Sequence, residues 1–350
     1  MRRTAALIVG GGPAGAAAAI ALARGGAMPV LIERAPAERD VVCGGFLGWD
    51  AVAALERLGL DPAALGARPI HRLRLVAGGK VVETALPRAA AGLSRRRLDA
   101  ALLHFAEEAG AAVLRGRAAR AIEGGNVRLD DGAEMAAEAL FLATGKHELR
   151  GMARDIGDRP VCVGLRAAVA PPPELAGTIE LHLYNGGYAG LLLQEDGAAN
   201  LCLSVAQARM AGGREAFLAA LMRDAPLLAE RIGGALPAEW EAIAGVPYGW
   251  RARGTAPGLF RIGDQAAVIA SLAGDGIAVA LASGAAAAHA CLHGEGAQAY
   301  QRAFAKQAKR PLAIAETLRH MAEAPLRRRL MMRLAGLPGL AKAAARLTRI

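Results

Sequence analysis

The 350-residue chain is poor in paired cysteines, aromatic side chains and long apolar runs. Its four cysteines, Cys43, Cys162, Cys202 and Cys291, are far apart and form no CxxC pair, so neither a disulfide framework nor a zinc site is indicated. Phe, Trp and Tyr together make up 4% of the residues. No uncharged apolar run reaches the ~20 residues that a membrane-spanning helix needs. We therefore expect a globular, cytoplasmic protein without a metal site.

Acidic residues are scarce near the C-terminus. Residues 299–350 contain 12 basic and 2 acidic residues, a surplus that accounts for the net charge of +10 of the whole chain. Leucines at helical spacing accompany the basic residues, and prolines at 311, 325 and 338 predict breaks between helices. Two interpretations remain open: adsorption to an anionic membrane surface, or a helical cap with its basic face in water. No nucleic-acid-binding motif accompanies the charge, so we expect no nucleic acid partner.

The strongest motif lies in the first 33 residues. The apolar run 7–9 predicts a buried strand, the glycine-rich stretch 10–15 a tight turn, and residues 16–24 a helix. A second apolar run, 30–32, ends at Glu33. A strand, glycine turn, helix and strand followed by an acid are typical of a site for an ADP-containing dinucleotide, FAD or NAD(P).

Each residue of this motif has a physical reason. Gly10 permits the tight turn, Gly12 lets a pyrophosphate approach the backbone, and Gly15 lets the helix pack close to the strand. The helix N-terminus, which follows Ala14 and Gly15 of the turn, would face the phosphates with free N–H groups and the positive end of its dipole. Glu33 falls where a carboxylate would accept hydrogen bonds from ribose hydroxyls.

Farther along, the pattern of secondary structure changes. Asp50 is a plausible N-cap for a helix ending near Leu58, and Ser94 for a helix ending near Ala109. Residues 71–86 alternate around Gly78-Gly79, which predicts a hairpin. Four consecutive strands between residues 161 and 205 have no helix between them, which favours an antiparallel sheet in a separate layer. Residues 211–236 and 276–293 are predicted to be helical.

Three stretches taken together resemble a known family. They are residues 10–33, Leu142-Ala143-Thr144-Gly145, and residues 263–267 followed by Gly274-Asp275-Gly276-Ile277. They are similar to the FAD-binding fold shared by aromatic flavin hydroxylases and by the geranylgeranyl reductase and flavin-dependent dehydrogenase group. Four further segments resemble the reductase group in particular: residues 43–45, 95–99, 163–166 and 186–191.

The resemblance implies an α/β fold. Its parts are a Rossmann-like FAD-binding domain of the glutathione-reductase-like, hydroxylase type, an inserted antiparallel β-sheet substrate domain and a helical C-terminus. The implied bounds are 1–70, 92–150 and 251–298 for the discontinuous FAD-binding domain, 71–91 and 151–250 for the substrate domain, and 299–350 for the basic C-terminal segment.

The resemblance also implies which residues hold FAD. Asp264 would accept a hydrogen bond from a ribityl or ribose hydroxyl, and the helix after Gly274 would place N–H groups against the flavin edge that becomes negative on reduction. The implied FAD contacts are Gly10, Gly12, Ala14, Gly15, Glu33, Arg34, Arg95, Thr144, Gly145, Asp264, Gly274, Gly276 and Ile277.

Candidates for the catalytic pocket are Cys43, Tyr188 and Trp250. Cys43 lies on a segment that this family folds near the isoalloxazine, and Tyr188 lies in a glycine-rich turn of the predicted sheet. Each has an alternative interpretation as an ordinary core side chain. Lys146 and His147 are candidates for contacting the cofactor or NAD(P)H, or for a solvated loop.

Two departures from the hydroxylase pattern bear on the reaction. Ser271 stands where the hydroxylases commonly have a proline, and residues 146–150 lack their usual Asp-Gly pair. Both favour hydride transfer between flavin and a hydrophobic, isoprenoid- or polyketide-like substrate. One alternative is an NAD(P)H-dependent monooxygenase acting on a phenolic or polyketide-like compound. Another is a non-catalytic flavoprotein whose tail binds a membrane or partner. No second GxGxxG is present, so NAD(P)H would dock transiently or another donor would supply electrons.

Overall fold

A computed structural model describes residues 2–337 and 339–349. The fold is α/β with two sheets and a helical C-terminal region. The strands are β1 (Arg2–Val9), β2 (Val30–Glu33), β3 (Phe46–Leu47), β4 (Arg68–Ala77), β5 (Lys80–Gly92), β6 (Ala112–Arg115), β7 (Ala119–Glu123), β8 (Asn126–Leu129), β9 (Glu134–Leu142), β10 (Cys162–Val169), β11 (Thr178–Tyr184), β12 (Gly187–Leu193), β13 (Ala199–Ala206), β14 (Glu241–Val246) and β15 (Leu259–Arg261). The α-helices are α1 (Pro13–Arg24), α2 (Trp49–Arg57), α3 (Arg95–Glu108), α4 (Gly213–Asp224), α5 (Pro226–Arg231), α6 (Gly276–Leu292), α7 (Ala297–Glu323), α8 (Pro325–Ala335) and α9 (Leu340–Leu347).

The first sheet has the order β6-β2-β1-β9, with β15 beside the end of β9 and the β7–β8 hairpin beside its beginning. The pairings among β6, β2, β1, β9 and β15 are parallel. Val9 is in register with both Ile32 and Leu142, so the carboxyl ends of these strands lie at one edge. Ligands of open parallel sheets bind at this edge.

Small residues bring the layers on one face of this sheet unusually close. A Cβ on Gly15 would lie 1.9 Å from the carbonyl oxygen of Gly10, so α1 lies directly against the turn after β1. A Cβ on Gly284 would lie 2.2 Å from the carbonyl oxygen of Ala14, so α6 lies directly against α1. Five of the seven alanines of α1 are buried. Both helix N-termini therefore reach the same end of the sheet.

The second sheet has the order β14-β10-β13-β12-β11-β4-β5-β3. The predicted hairpin is confirmed, because β4 and β5 pair in antiparallel fashion around Gly78-Gly79. The predicted consecutive strands are also confirmed as β10 to β13, although β11 pairs with β4 in parallel, so the sheet is mixed. One face packs against α4 and α5 and the other against α7 and α8. The predicted domain bounds stay a prediction.

Several local predictions are corrected. Gly48, not Asp50, is the N-cap of α2, whereas Ser94 caps α3 as predicted and its Oγ accepts a hydrogen bond from the backbone N of Arg97 at 3.1 Å. The predicted helix over residues 211–236 is two helices, α4 and α5, separated at Ala225, because Pro226 begins a new first turn.

The predicted break at Pro311 is wrong. Helix α7 continues through this proline, and its buried side chains on both sides, including Phe304 and Leu312, hold the helix where one backbone hydrogen bond is lost. Pro325 does begin a helix, α8, and the predicted break at Pro338 lies outside the described residues. Within the described ranges, no helix has both the length and the hydropathy that crossing a bilayer requires.

A buried carboxylate ties the second sheet to α5. Glu180 accepts hydrogen bonds from Arg74 Nη1 at 2.6 Å and from Arg231 Nε at 3.1 Å, and its Oε1 lies 2.7 Å from His182 Nε2. Burial raises the pKa of this carboxyl, but its hydrogen bonds with His182 and Arg74 outweigh burial and lower the pKa to about 2.

We therefore expect the contribution of Glu180 to stability to depend on pH. A lowered pKa in the folded state stabilises the fold above the ordinary carboxyl pKa of 4.5, and this stabilisation is lost as the pH falls towards 2. Glu180→Gln should lower the free energy of unfolding by about 3 kcal/mol at neutral pH, and urea denaturation should show the difference shrinking at pH values below 4.5. Glu83→Gln, at a more exposed partner of Arg74, is the control and should have a small effect. If the difference in unfolding free energy between wild type and Glu180→Gln did not change with pH, the lowered pKa of Glu180 would be contradicted.

Candidate functional site

A cavity of about 890 Å³ begins at the carboxyl edge of the first sheet and extends to the second sheet and the C-terminal helices. Its volume is near the upper end of the range for small-molecule sites, roughly 300–1,000 Å³. Of the predicted FAD contacts, every one except Gly15 lines this cavity, and Gly15 lies behind the lining against Gly10.

One end of the cavity suits phosphates. Gly10 has φ +111° and a Cβ there would lie 2.4 Å from the carbonyl oxygen of Ala143, so only glycine fits the turn. At Gly12 a Cβ would occupy the cradle itself, 3.2 Å from Arg95 Nη2. Helix α1 has no acidic residue in its first turn and no side chain capping its N–H groups. These free donors are therefore positioned to bind an anion, next to Arg95, whose guanidinium forms an ion pair with Asp99 at 2.7 Å.

Beside this end lies a group of residues suited to a ribose. The Glu33 carboxylate is held by the backbone N–H groups of Gly11 at 2.7 Å and Ala35 at 2.8 Å. Arg34 Nη2 donates to His147 Nε2 at 2.7 Å. Burial and the cations Arg34 and Arg39 lower the pKa of His147, so its ring is neutral and can accept this bond.

Asp264, predicted to bind the ribityl chain, forms an ion pair within the protein. Lys146 Nζ lies 3.0 Å from Asp264 Oδ2. Burial lowers the pKa of Lys146, but the Asp264 carboxylate together with Tyr248 and Cys43 outweighs burial and raises the pKa above its ordinary value. Gln265 Nε2 donates to the carbonyl oxygen of Gly145 at 3.0 Å and Thr144 Oγ1 donates to that of His147 at 2.9 Å. These contacts fix the turn after β9 to the turn after β15. Lys146, for which the sequence left open a cofactor contact or a solvated loop, therefore lies beside Asp264.

The predicted flavin-edge loop leaves room for a ligand. Gly274 has φ +74°, and a Cβ there would lie 2.8 Å from the ring of Phe46. A Cβ built on Gly276 meets nothing within 4 Å. Helix α6 begins at Gly276 with no side chain capping it, and Ile277 lines the cavity. The positive end of this helix therefore faces open space.

The Cys43 segment is fixed by two residues that the motifs did not predict as site residues. Asn200 Nδ2 donates to the carbonyl oxygens of Cys43 at 3.0 Å and Gly44 at 2.8 Å. Arg166, itself buried, donates from Nε to Asn200 Oδ1 at 2.8 Å and lies 3.0 Å from Asp40. Arg166 falls in a segment similar to the reductase group, whereas nothing in the strand pattern singles out Asn200.

Of the two aromatic residues predicted to line the catalytic pocket, Tyr188 does so and Trp250 does not. Tyr188 lines the cavity, as does Tyr248, whose hydroxyl lies 2.6 Å from Ser271 Oγ and accepts a hydrogen bond from Ser204 Oγ at 3.3 Å. Trp250 is in the core instead and its Nε1 donates to the carbonyl oxygen of Asp155 at 2.9 Å. It is not among the described residues that line this cavity.

Apolar side chains form the far arm of the cavity. They come from β4, β11 and β12 on one side and from α7, α8 and α9 on the other. The residues are Leu73, Leu75, Ile179, Leu181, Leu192, Leu318, Met321, Met331, Leu334 and Leu340. The sequence did not predict that the C-terminal helices line the site.

These features fit FAD. The uncapped N-terminus of α1, the cradle at Gly12 that a side chain would fill and the open space at Gly276 lie along one cavity. Residues 3–151 match the family model described as FAD binding domain.

Similar proteins are found among both reductases and halogenases. A menaquinone reductase of Mycolicibacterium smegmatis is 28% identical over 307 residues, which cover 81% of this chain and 75% of that protein. A chloroplastic geranylgeranyl diphosphate reductase of Oryza sativa subsp. japonica is 38% identical over 120 residues, which cover 33% of this chain and 25% of that protein. The structure of a flavin-dependent brominase superposes with a TM-score of 0.79 at 16% identity, covering 99% of this chain and 93% of that one.

The cradle at Gly12 gives a direct test. Gly12→Val should give folded protein that purifies with little or no flavin, because the added side chain occupies the space predicted for the pyrophosphate. Flavin absorbance per mole of protein is the measurement. Gly254→Val, where a Cβ meets nothing within 4 Å, should keep the wild-type flavin content. Equal flavin content in both variants would contradict the phosphate assignment.

Proposed function

Because the chain is an FAD-dependent oxidoreductase of the superfamily that includes geranylgeranyl reductases and aromatic flavin hydroxylases, we propose that it transfers hydride between FAD and a carbon–carbon double bond of a hydrophobic, polyisoprenoid substrate. The observation that carries the proposal is the apolar arm of the cavity, which continues from the predicted flavin edge between the second sheet and the C-terminal helices. An extended hydrocarbon chain suits such a lining. Menaquinone and geranylgeranyl compounds, named in two relatives, are both polyisoprenoid.

Bound FAD would supply the hydride chemistry. The protein would bind the substrate, orient it against the flavin and exclude water from the site. Saturating a double bond also requires a proton at the neighbouring carbon.

We propose NAD(P)H as the source of the electrons. It would dock transiently, because the chain has no second GxGxxG.

We propose the Tyr248–Ser271 pair, which lines the cavity, as the proton source. The two hydroxyls are 2.6 Å apart and both residues line the cavity. Burial raises the pKa of Tyr248, against the opposing effect of Lys146, so the hydroxyl stays protonated at neutral pH. A protonated phenol can donate to the carbon adjacent to the one that accepts hydride. Ser271, where the hydroxylases have proline, holds the phenol in place.

The test of the function is spectroscopic. The purified, flavin-loaded protein is reduced anaerobically with NADPH or NADH and then mixed with geranylgeraniol or menaquinone. We expect the flavin to bleach and to return to the oxidised spectrum when the polyisoprenoid is added. Tandem mass spectrometry should place the two added hydrogen atoms in the isoprenoid chain and not in the quinone ring.

Admitting air distinguishes the alternatives. Reduced flavin that persists in air without substrate agrees with the proposal. Rapid reoxidation that is fastest with phenolic compounds and yields an oxygenated product would identify a monooxygenase instead. Protein without flavin would overturn both.

Tyr248→Phe tests the proton source. The variant keeps the ring, over which the Arg319 guanidinium lies 5.8 Å from the centroid, and removes only the hydroxyl. We expect flavin reduction by NADPH to be unchanged and reoxidation by polyisoprenoid to slow about 100-fold or more. Tyr184→Phe is the matched control, because that hydroxyl bonds to the carbonyl oxygens of Tyr188 and Ser204 at 3.1 Å. Equal reoxidation rates in wild type and Tyr248→Phe would exclude this role.

A further inference from the structure

Exposed apolar side chains are concentrated on the C-terminal helices. Six large apolar residues that are more than a third exposed lie between positions 326 and 347: Leu326, Leu330, Leu334, Leu337, Leu340 and Leu347. Elsewhere in the described residues such side chains are scattered singly, as at Met28 and Leu236. Leu326, Leu330 and Leu334 follow the four-residue spacing of one helix face, and Leu326 is 77% exposed. A contiguous exposed apolar surface of this kind is typical of an interaction site.

The same segment is strongly basic. Residues 325–349 contain seven Lys and Arg residues and no Asp or Glu. Among the residues with described side chains, no carboxylate forms an ion pair with Arg327, Arg329 or Arg333. A groove of about 290 Å³ beside the β4–β5 turn is lined by Lys80, Arg328, Arg329 and Arg333, and its lining includes no carboxylate. This groove is suited to an anionic headgroup.

The cavity reaches this surface. Met331 and Ala335 of α8 and Ala341 and Ala344 of α9 line the cavity from inside. Leu334 and Leu340 both line the cavity and remain exposed to solvent. The space between α8 and α9 is thus the place where the apolar arm comes closest to the basic, leucine-rich face.

We propose that α8 and α9 form a docking surface for an anionic lipid bilayer. The exposed leucines enter the boundary between headgroups and acyl chains, and the unpaired arginines contact lipid phosphates. The alternation of leucine and arginine along the helices favours a bilayer over a folded acidic protein, because a bilayer offers apolar and anionic layers together. The entry of a bilayer-dissolved substrate between α8 and α9 rests on the proposed function, whereas the docking itself does not.

Vesicle sedimentation tests the docking. The full-length, flavin-loaded protein is incubated with vesicles of phosphatidylcholine alone or mixed with phosphatidylglycerol. We expect binding to the anionic vesicles, little binding to the neutral ones, and weaker binding as salt is added. Arg327→Gln/Arg329→Gln should weaken binding about tenfold or more, and Leu326→Glu/Leu330→Glu should abolish it. All four side chains are exposed, so the variants should keep their flavin content.

Matched substitutions elsewhere are the controls. Met28→Glu/Leu236→Glu and Arg57→Gln/Arg128→Gln make the same chemical changes on other exposed surfaces and should bind like wild type. The proposal is overturned if wild type does not bind anionic vesicles or if controls and test variants lose binding equally. Light scattering that shows a wild-type dimer, dissociated by the leucine substitutions, without vesicle binding would identify the surface as a contact between two copies. None of these outcomes depends on turnover.

Discussion

Close backbone contact between α1, the turn after β1 and α6 is the constraint on which the site depends. Side chains at Gly15 or Gly284 would collide with carbonyl oxygens about 2 Å away, so only glycine allows the helices to lie this near. The contact brings the N-termini of α1 and α6 to the same end of the first sheet. Two uncapped, positively polarised helix ends thereby face one cavity, which is what a ligand with a pyrophosphate at one position and an electron-accepting ring at another requires.

The parts that the sequence predicts well are those in which local pattern and chemistry coincide. The strand, glycine turn, helix and acid over residues 7–33 specify both a parallel βαβ unit and a site at its carboxyl end. The Ser94 cap and the Gly78-Gly79 turn are likewise local, since their geometry depends on neighbouring residues. Strands β10 to β13 of the second sheet were also predictable, because these four strands follow one another with turn residues between them, whereas the parallel pairing of β11 with β4 was not predicted.

The rest depends on contacts between distant segments. Lys146 meets Asp264, and Asn200 holds the carbonyl of Cys43, across more than a hundred residues, so no local pattern indicates either pair. Pro311 was expected to end a helix, but tertiary packing overrides that preference. The C-terminal helices carry leucines on more than one side, and a sequence alone does not indicate which of those sides faces the cavity and which faces solvent.

Arg349 forms an ion pair with Asp275, directly before Gly276, and its guanidinium lies 3.9 Å from the centroid of the Trp49 ring. The cavity therefore takes its walls from residues as far apart as Gly10 and Arg349. Contacts between such distant residues form slowly, because a long stretch of chain must be ordered before they are made. The walls of the cavity are therefore complete only when the segments that carry Gly10 and Arg349 have both folded. A ligand that spans this cavity would therefore stabilise the first sheet and the C-terminal helices together.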